Sequence, residues 1–205
     1  MATQGPNSGG TFTNVAESGG AGNSGMNWTN PGNAVASDNI YATMLLSSST
    51  VTVWGNFLQV TNFGFSIPTG ATINGITVGI ERKVSSTSFN PKDHTVKLVK
   101  GGTIQGNNKA SASVYPTSDA YATYGSSSDL WGLTLTDTDV NASTFGVAIS
   151  CQCDVTAKSA TAFSIDHIRI TVDYTVSSGA TPTVATKSIG RKRVPSYLSS
   201  YLKYY

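Results

Sequence analysis

Asn62-Phe-Gly-Phe-Ser-Ile-Pro-Thr-Gly-Ala-Thr-Ile-Asn-Gly-Ile-Thr-Val-Gly-Ile-Glu-Arg-Lys83 carries two strand signals around one corner. Phe63, Phe65 and Ile67 alternate with Asn62, Gly64 and Ser66, the period of a half-buried strand. Pro68-Thr69-Gly70 then breaks the ladder, because proline has no N–H to give and glycine accepts a positive φ. A second corner is expected at Asn74-Gly75. Beyond it Ile76, Val78 and Ile80 face one way, and Thr77, Gly79, Glu81 and Lys83 the other. No catalytic group sits in this stretch, which reads as the centre of a β-sandwich.

Working outward, the same period recurs. Strands are expected over Tyr41–Leu46, over Val51–Val60 with Trp54, Leu58 and Val60 on one face, and over His94–Lys100 with Val96 and Leu98 inward. Gly101-Gly102 reads as a hairpin turn before Thr103–Gln105. Leu130–Leu135 and Phe145–Val155 follow, with a single helical turn or corner between them at Asp137–Ser143. In the last strand, Ala162–Val176, the phase slips. Phe163 and Ile165 are inward on odd positions, but Ile168, Ile170, Val172 and Tyr174 on even ones. One extra residue near Asp166-His167 accounts for the slip, so a β-bulge is predicted there. About eight strands with no helical period in the body give an all-β fold, an antiparallel sandwich of jelly-roll type spanning residues 36–176.

The flanks differ from the body. Residues 1–35 are rich in Gly, Ser, Asn and Thr, with one apolar interruption at Thr11–Val15, and read as an extended N-terminal arm or a loose first strand. Residues 1–180 carry eight Lys/Arg against eleven Asp/Glu, net −3, whereas the last 25 residues carry five basic residues and no acid. After the linker-like Ser177–Thr186, Arg191, Lys192 and Arg193 form a basic cluster. Leu198, Tyr201, Leu202 and Tyr205 then fall at i, i+3, i+4 and i+7 behind Pro195, a short amphipathic helix too short to hold alone in water. With Tyr197, these residues make residues 177–205 a docking arm for a partner. Packing on the chain's own body and plain disorder are the alternatives.

Composition narrows the function. Only 12% of residues are charged, which suits surfaces that neighbours cover in an assembly. No apolar run is long enough to span a membrane. The opening Met1-Ala-Thr-Gln-Gly-Pro-Asn lacks the regions of a secretion signal, so residence in a cytoplasm until assembly is expected. Cys151 and Cys153, two apart on one strand with Val147 and Ile149, read as small core residues rather than a redox or metal pair. The acid–base stock is thin. His94 reads as a solvated strand end, and His167 beside Asp166 is the best catalytic guess, without a nucleophile motif to accompany it. Asp137 and Asp139 are too few for Ca²⁺ and suit a capped corner. The sequons at Asn27 and Asn141 are discounted for want of a secretion signal. The basic triplet has no groove-reading motif, so specific nucleic-acid recognition is not expected and charge complementarity to an acidic neighbouring protein is its expected use. No cofactor is expected.

Aromatic side chains on a sandwich open a second class of function, glycan binding. Tyr115, Tyr121 and Tyr124, with Trp28 and Trp131, are the candidate stacking platforms, although Trp54 and Trp131 look core-directed.

Three groups of residues together carry a family resemblance. They are Trp28-Thr-Asn-Pro-Gly-Asn-Ala-Val-Ala-Ser-Asp38 through Tyr41-Ala-Thr43, the opening block from Asn62 to Ile73, and Asn141-Ala-Ser-Thr-Phe-Gly-Val-Ala-Ile-Ser150 with Asp166-His-Ile-Arg-Ile-Thr-Val172. Over roughly Asn27 to Tyr174 the chain resembles a family of β-sandwich structural proteins of tailed bacteriophages and prophages. The resemblance implies a non-enzymatic virion component, a capsid decoration or a neck or tail accessory. It would dock on other virion proteins in a symmetric assembly, and no catalytic residues carry over. The alternative is a glycan-binding, receptor-recognising sandwich of a tail or fibre.

Overall fold

A computed structural model describes residues 1–18, 22–47, 51–154 and 160–176. The expected docking arm, with Arg191, Lys192, Arg193, Tyr197, Leu198, Tyr201, Leu202 and Tyr205, lies outside the described residues.

Among the described residues eleven strands form two sheets, all paired antiparallel: β1 Ala2–Ser8, β2 Thr11–Val15, β3 Ala42–Ser47, β4 Val53–Trp54, β5 Phe57–Thr61, β6 Thr72–Val84, β7 Lys92–Lys100, β8 Thr103–Gln105, β9 Ala120–Gly125, β10 Gly146–Cys153 and β11 Ala160–Thr175. In the first sheet β11 is flanked by β6 and then β9 on one side. On its other side β3 pairs with its first half and β1 with its second. The second sheet runs β2–β5–β10–β7–β8, with β4 beside β10. Apart from the β4–β5 and β7–β8 steps, each connection crosses from one sheet to the other. That alternation is the jelly-roll-like sandwich expected from the strand pattern.

The core between the sheets is built by strict alternation. Ile76, Val78 and Ile80 of β6 and Ile168, Ile170 and Val172 of β11 meet Val96 and Leu98 of β7 and Val147 and Ile149 of β10, all fully buried. Each such side chain contributes roughly 1.5–3 kcal/mol relative to exposure. Cys151 and Cys153 are free thiols in this core, and burial pushes Cys153 up to about 11, far from a reactive thiolate. The bulge in β11 is where the phase slip placed it, between Ile165 and His167. The Gly101-Gly102 turn, both residues at positive φ, closes the β7–β8 hairpin. The corner near Asp137 is a short helix, α1 Asp137–Asn141, in which Thr136 and Asp139 form a capping box, so Asp139 caps a helix. Among the described residues no three His, Cys, Asp or Glu side chains gather to hold a metal, and no helix is long and apolar enough to cross a membrane.

Four local expectations change. The Asn62–Ile67 stretch keeps its alternation, with Phe63, Phe65 and Ile67 buried, but it forms no ladder. It passes between the sheets, and side chains serve its backbone instead: Asn7 Nδ2 donates to Phe63 O, Ser66 N–H to Gln4 Oε1, and Asn141 both donates to and accepts from Ile67. Asn74-Gly75 is a bulge inside β6 rather than a corner. The backbone of Ser126–Ser128 presses so close that a Cβ on Gly75 would lie 2.3 Å from it. Leu130–Leu135 is a loop, because Trp131 takes a positive φ to bury its ring and donate from Nε1 to Ile76 O. Trp54, expected inward with Leu58 and Val60, faces out, because Gly55-Asn56 interrupts the strand between them.

The loose first strand of the sequence reading is two strands, one in each sheet. β1 carries almost no apolar residue, which is why its period was silent. Its position at an edge tolerates Pro6 and polar side chains, with Thr3 Oγ1 bonded to Asp173 and the Gln4 and Asn7 amides to the 62–67 segment. At Gly9 the chain changes sheets against Val60, whose Cγ1 would lie 2.2 Å from a Cβ there.

Gly146 opens the central strand of the second sheet so close to β5 that a Cβ would sit 1.9 Å from Val60 O. Gly146→Ala is therefore expected to destabilise by about 1–3 kcal/mol or more. Urea unfolding followed by tryptophan fluorescence measures this, and an unchanged midpoint would mean that the two strands separate freely.

Candidate functional site

Most of the aromatics expected to meet a glycan are inside. Tyr115 and Tyr124 are 1% and 4% exposed, and Trp28 and Trp131 are buried as well. The tyrosines turn inward because the core holds a charge for them to bind. Arg82 on β6 reaches across the sandwich to Asp93 on β7 and to the Tyr124 hydroxyl. Tyr115 Oη donates to Asp93 Oδ1 at 2.6 Å and Tyr124 Oη to Oδ2 at 2.9 Å, while Ser111 N–H adds a bond to Oδ2 at 2.8 Å. The Arg82 guanidinium also lies 3.8 Å over the Tyr115 ring. Burial and then the Asp93 charge push both phenols well above the usual tyrosine range, so they stay protonated and donate. This is a structural brace, served by Ser111 and Tyr115 from the segment before β9 and by Tyr124 from β9 itself.

Only Tyr121 of the three tyrosines reaches the surface, on the outer face of the first sheet, where it is 37% exposed. The Arg169 guanidinium lies 3.9 Å over its ring. The bulge at Asp166-His167 sorts its two side chains to opposite tasks. Asp166 is buried and accepts from the amides of Asp38 and Asn39. His167 lies between Ser8 and Tyr121, with Nε2 and Nδ1 each 2.8 Å from a hydroxyl. Burial, and then the Arg169 charge, lowers the His167 pKa, favouring the neutral ring. Both ring nitrogens are occupied by this cross-strand bracket.

The outer face of the second sheet holds a concavity. Its geometry begins one residue from Asp93. β10 pairs Ser150 with Thr95 and Cys151 with Asp93, leaving His94 as an extra residue, a bulge that the sequence did not signal. The bulge lets Asp93 point inward to Arg82 while Thr95 and Lys97 keep to the outside. His94 turns out and stacks on Trp54 at 4.4 Å with the rings 8° apart. It is therefore not the solvated strand end read from sequence. Across from it Glu17, 7% exposed, brings Oε1 to 2.7 Å from the Thr95 hydroxyl, which donates, and to 3.0 Å from His94 Nδ1. Glu17 Oε2 is buried and has no partner among the described residues.

Phe57, Val99 and Ala148 form a small second core on this outer face, with Val15 and Ile104 packed against it. Above it opens a cleft of about 470 Å³, within the range of small-ligand sites. Its floor is Phe57, Gln59, Thr95 and Lys97, one wall is residues 15–18, and the other is the hairpin at residues 102–104. Carboxylate, amide, hydroxyl and ammonium groups thus ring a few apolar side chains on a rigid sheet. Gln59, Thr95 and Lys97 are the outward positions of strands whose inward partners were legible. Nothing in the sequence, however, brings β5 and β7 to either side of a β10 lying 46 residues beyond β7.

No family model and no curated protein matches the chain. Among solved structures, it is similar to a chain described as "CBM4 structure and function", at 12% identity and a TM-score of 0.39, over 68% of this chain and 87% of that one. A second, "SGBP-B from a complex xyloglucan utilization locus in Bacteroides uniformis", aligns at 13% identity and a TM-score of 0.35, over 79% of this chain and 45% of that one. Likenesses this distant do not bear on function.

Asp93→Leu removes one partner of the brace and leaves Arg82 charged in the core, an expected loss of about 3–5 kcal/mol. Thermal unfolding by calorimetry checks it. A variant as stable as the parent would mean that water reaches the guanidinium.

Proposed function

We propose that the chain is a non-catalytic recognition module whose sandwich binds a carbohydrate in the cleft on the outer face of the second sheet. The observation that carries the reading is the cleft's mixture of groups around Phe57. Every sugar hydroxyl both donates and accepts, so a sugar needs acceptors such as Glu17 and donors such as Lys97, with Gln59, Thr95 and Thr103 serving either way. Its C–H faces need apolar contact, which Val15, Phe57 and Ile104 offer. The glycan reading therefore moves away from Tyr115 and Tyr124, which are inside, and across the sandwich from Tyr121.

The virion role implied by the sequence resemblance is compatible with this. The sparse charge of the chain, 12% of residues, favours a body packed among neighbours in a particle. Such a particle would carry the sandwich as its glycan-recognising surface.

A glycan array probed with the full chain, followed by calorimetry on the glycans it retains, tests the proposal. Gln59→Ala is expected to weaken binding roughly three- to ten-fold, the worth of a neutral hydrogen bond. Tyr121→Ala on the opposite sheet is expected to leave it unchanged. The reverse pattern would move the site to the first sheet, and an array with no retained glycan would remove the reading.

A further inference from the structure

The cleft holds one side chain whose charge no described residue answers. Five lysines lie among the described residues, and four are ion-paired. Lys83 meets Asp119 at 3.0 Å, Lys92 meets Asp154 at 2.7 Å, Lys100 meets Asp139 at 3.1 Å, and Lys109 meets Asp129 at 2.7 Å. Lys97 is the fifth, and no described acid pairs with it. Its register explains where its head lies. Gln59, Ala148 and Lys97 form one row across β5, β10 and β7, and the short Ala148 leaves space between the two long side chains.

Glu17 does not answer the charge, because its Oε1 is engaged by Thr95 and faces His94. Its Oε2 stays unpartnered among the described residues. Thr95, which holds Glu17, and Lys97 are two residues apart on one face of a strand, about 7 Å. That is a spacing one sugar ring can bridge.

Resting on the glycan reading, we infer that the sugar is anionic. Its acidic group pairs with Lys97 Nζ, and a hydroxyl of the same or the adjoining ring donates to the Glu17 carboxylate. A carboxylate of a uronic acid and a sulfate ester share the chemistry that Lys97 recognises. Glu17 supplies the discrimination: it accepts a hydroxyl and repels a second negative charge placed beside it. Sugars with one acidic group per ring are therefore selected over more densely charged ones.

Calorimetry with the full chain, using uronate, sulfated and neutral oligosaccharides of matched length, tests this. The singly charged uronate or the sulfated sugar is expected to bind roughly ten-fold or more tighter than the neutral one, the worth of a charge-assisted bond. Which of the two binds more tightly identifies the acidic group. Lys97→Gln is expected to erase the preference, so that charged and neutral sugars bind alike, and an unchanged thermal unfolding midpoint reports that the variant is folded. Lys97→Arg is expected to keep the preference. Equal binding of charged and neutral sugars, or a preference that survives Lys97→Gln, would overturn the inference while leaving the glycan reading in place. If no oligosaccharide of the panel or the array binds, both fall.

Discussion

Arg82 and Asp93 form a buried ion pair that joins the two sheets through the middle of the core. Two charges taken from water cost several kcal/mol each, and their attraction offsets this only when every remaining donor and acceptor is satisfied. Here Tyr115, Tyr124 and the Ser111 amide complete the set. The pair therefore fixes far more than its own two residues. It draws the segment between β8 and β9 over the sandwich through Ser111 and Tyr115, and it orients β9 through Tyr124. It also obliges β7 to turn Asp93 inward one position out of phase with Thr95.

That phase conflict is resolved by the bulge at His94, and the bulge shapes the outer surface. With His94 stacked on Trp54 and the Glu17 carboxylate drawn to Thr95, the segment after β2 becomes the wall of a cleft instead of lying flat on the sheet. The small outward residues of β10, Gly146, Ala148 and Ser150, keep the sheet low along its centre while Phe57, Gln59 and Lys97 rise beside it. The inner brace and the outer concavity are two faces of one local register choice. Mechanically, the cleft floor is three paired strands, so a ligand seated there would find its polar contacts already in place and less ordering entropy would oppose binding.

Much of the body was legible because its inner faces obey a period of two: Ile76, Val78 and Ile80, and Val147 and Ile149, need no knowledge of their partners. The β11 bulge was legible for the same reason, since a phase slip within one long apolar run is local information. The His94 bulge left no such mark, because Asp93 is a charged residue at an inward position and reads as outward. Tyr115 and Tyr124 misled in the same manner: a tyrosine among polar residues looks exposed unless the buried charge awaiting its hydroxyl is known. Residues 1–35 read only as an arm or one loose strand, not as β1 and β2, because edge strands need little apolar surface. The cleft itself was illegible, being composed of outward residues on strands whose adjacency only the fold creates.

The central claim is that recognition takes place on the outer face of the second sheet. Nuclear magnetic resonance of the labelled full chain, titrated with the tightest-binding oligosaccharide, addresses it directly. The largest shift changes are predicted at Phe57, Gln59, Thr95, Lys97 and Thr103, with Tyr121, His167 and Arg169 unmoved. Changes centred on those last three residues, or none at any described residue, would contradict it.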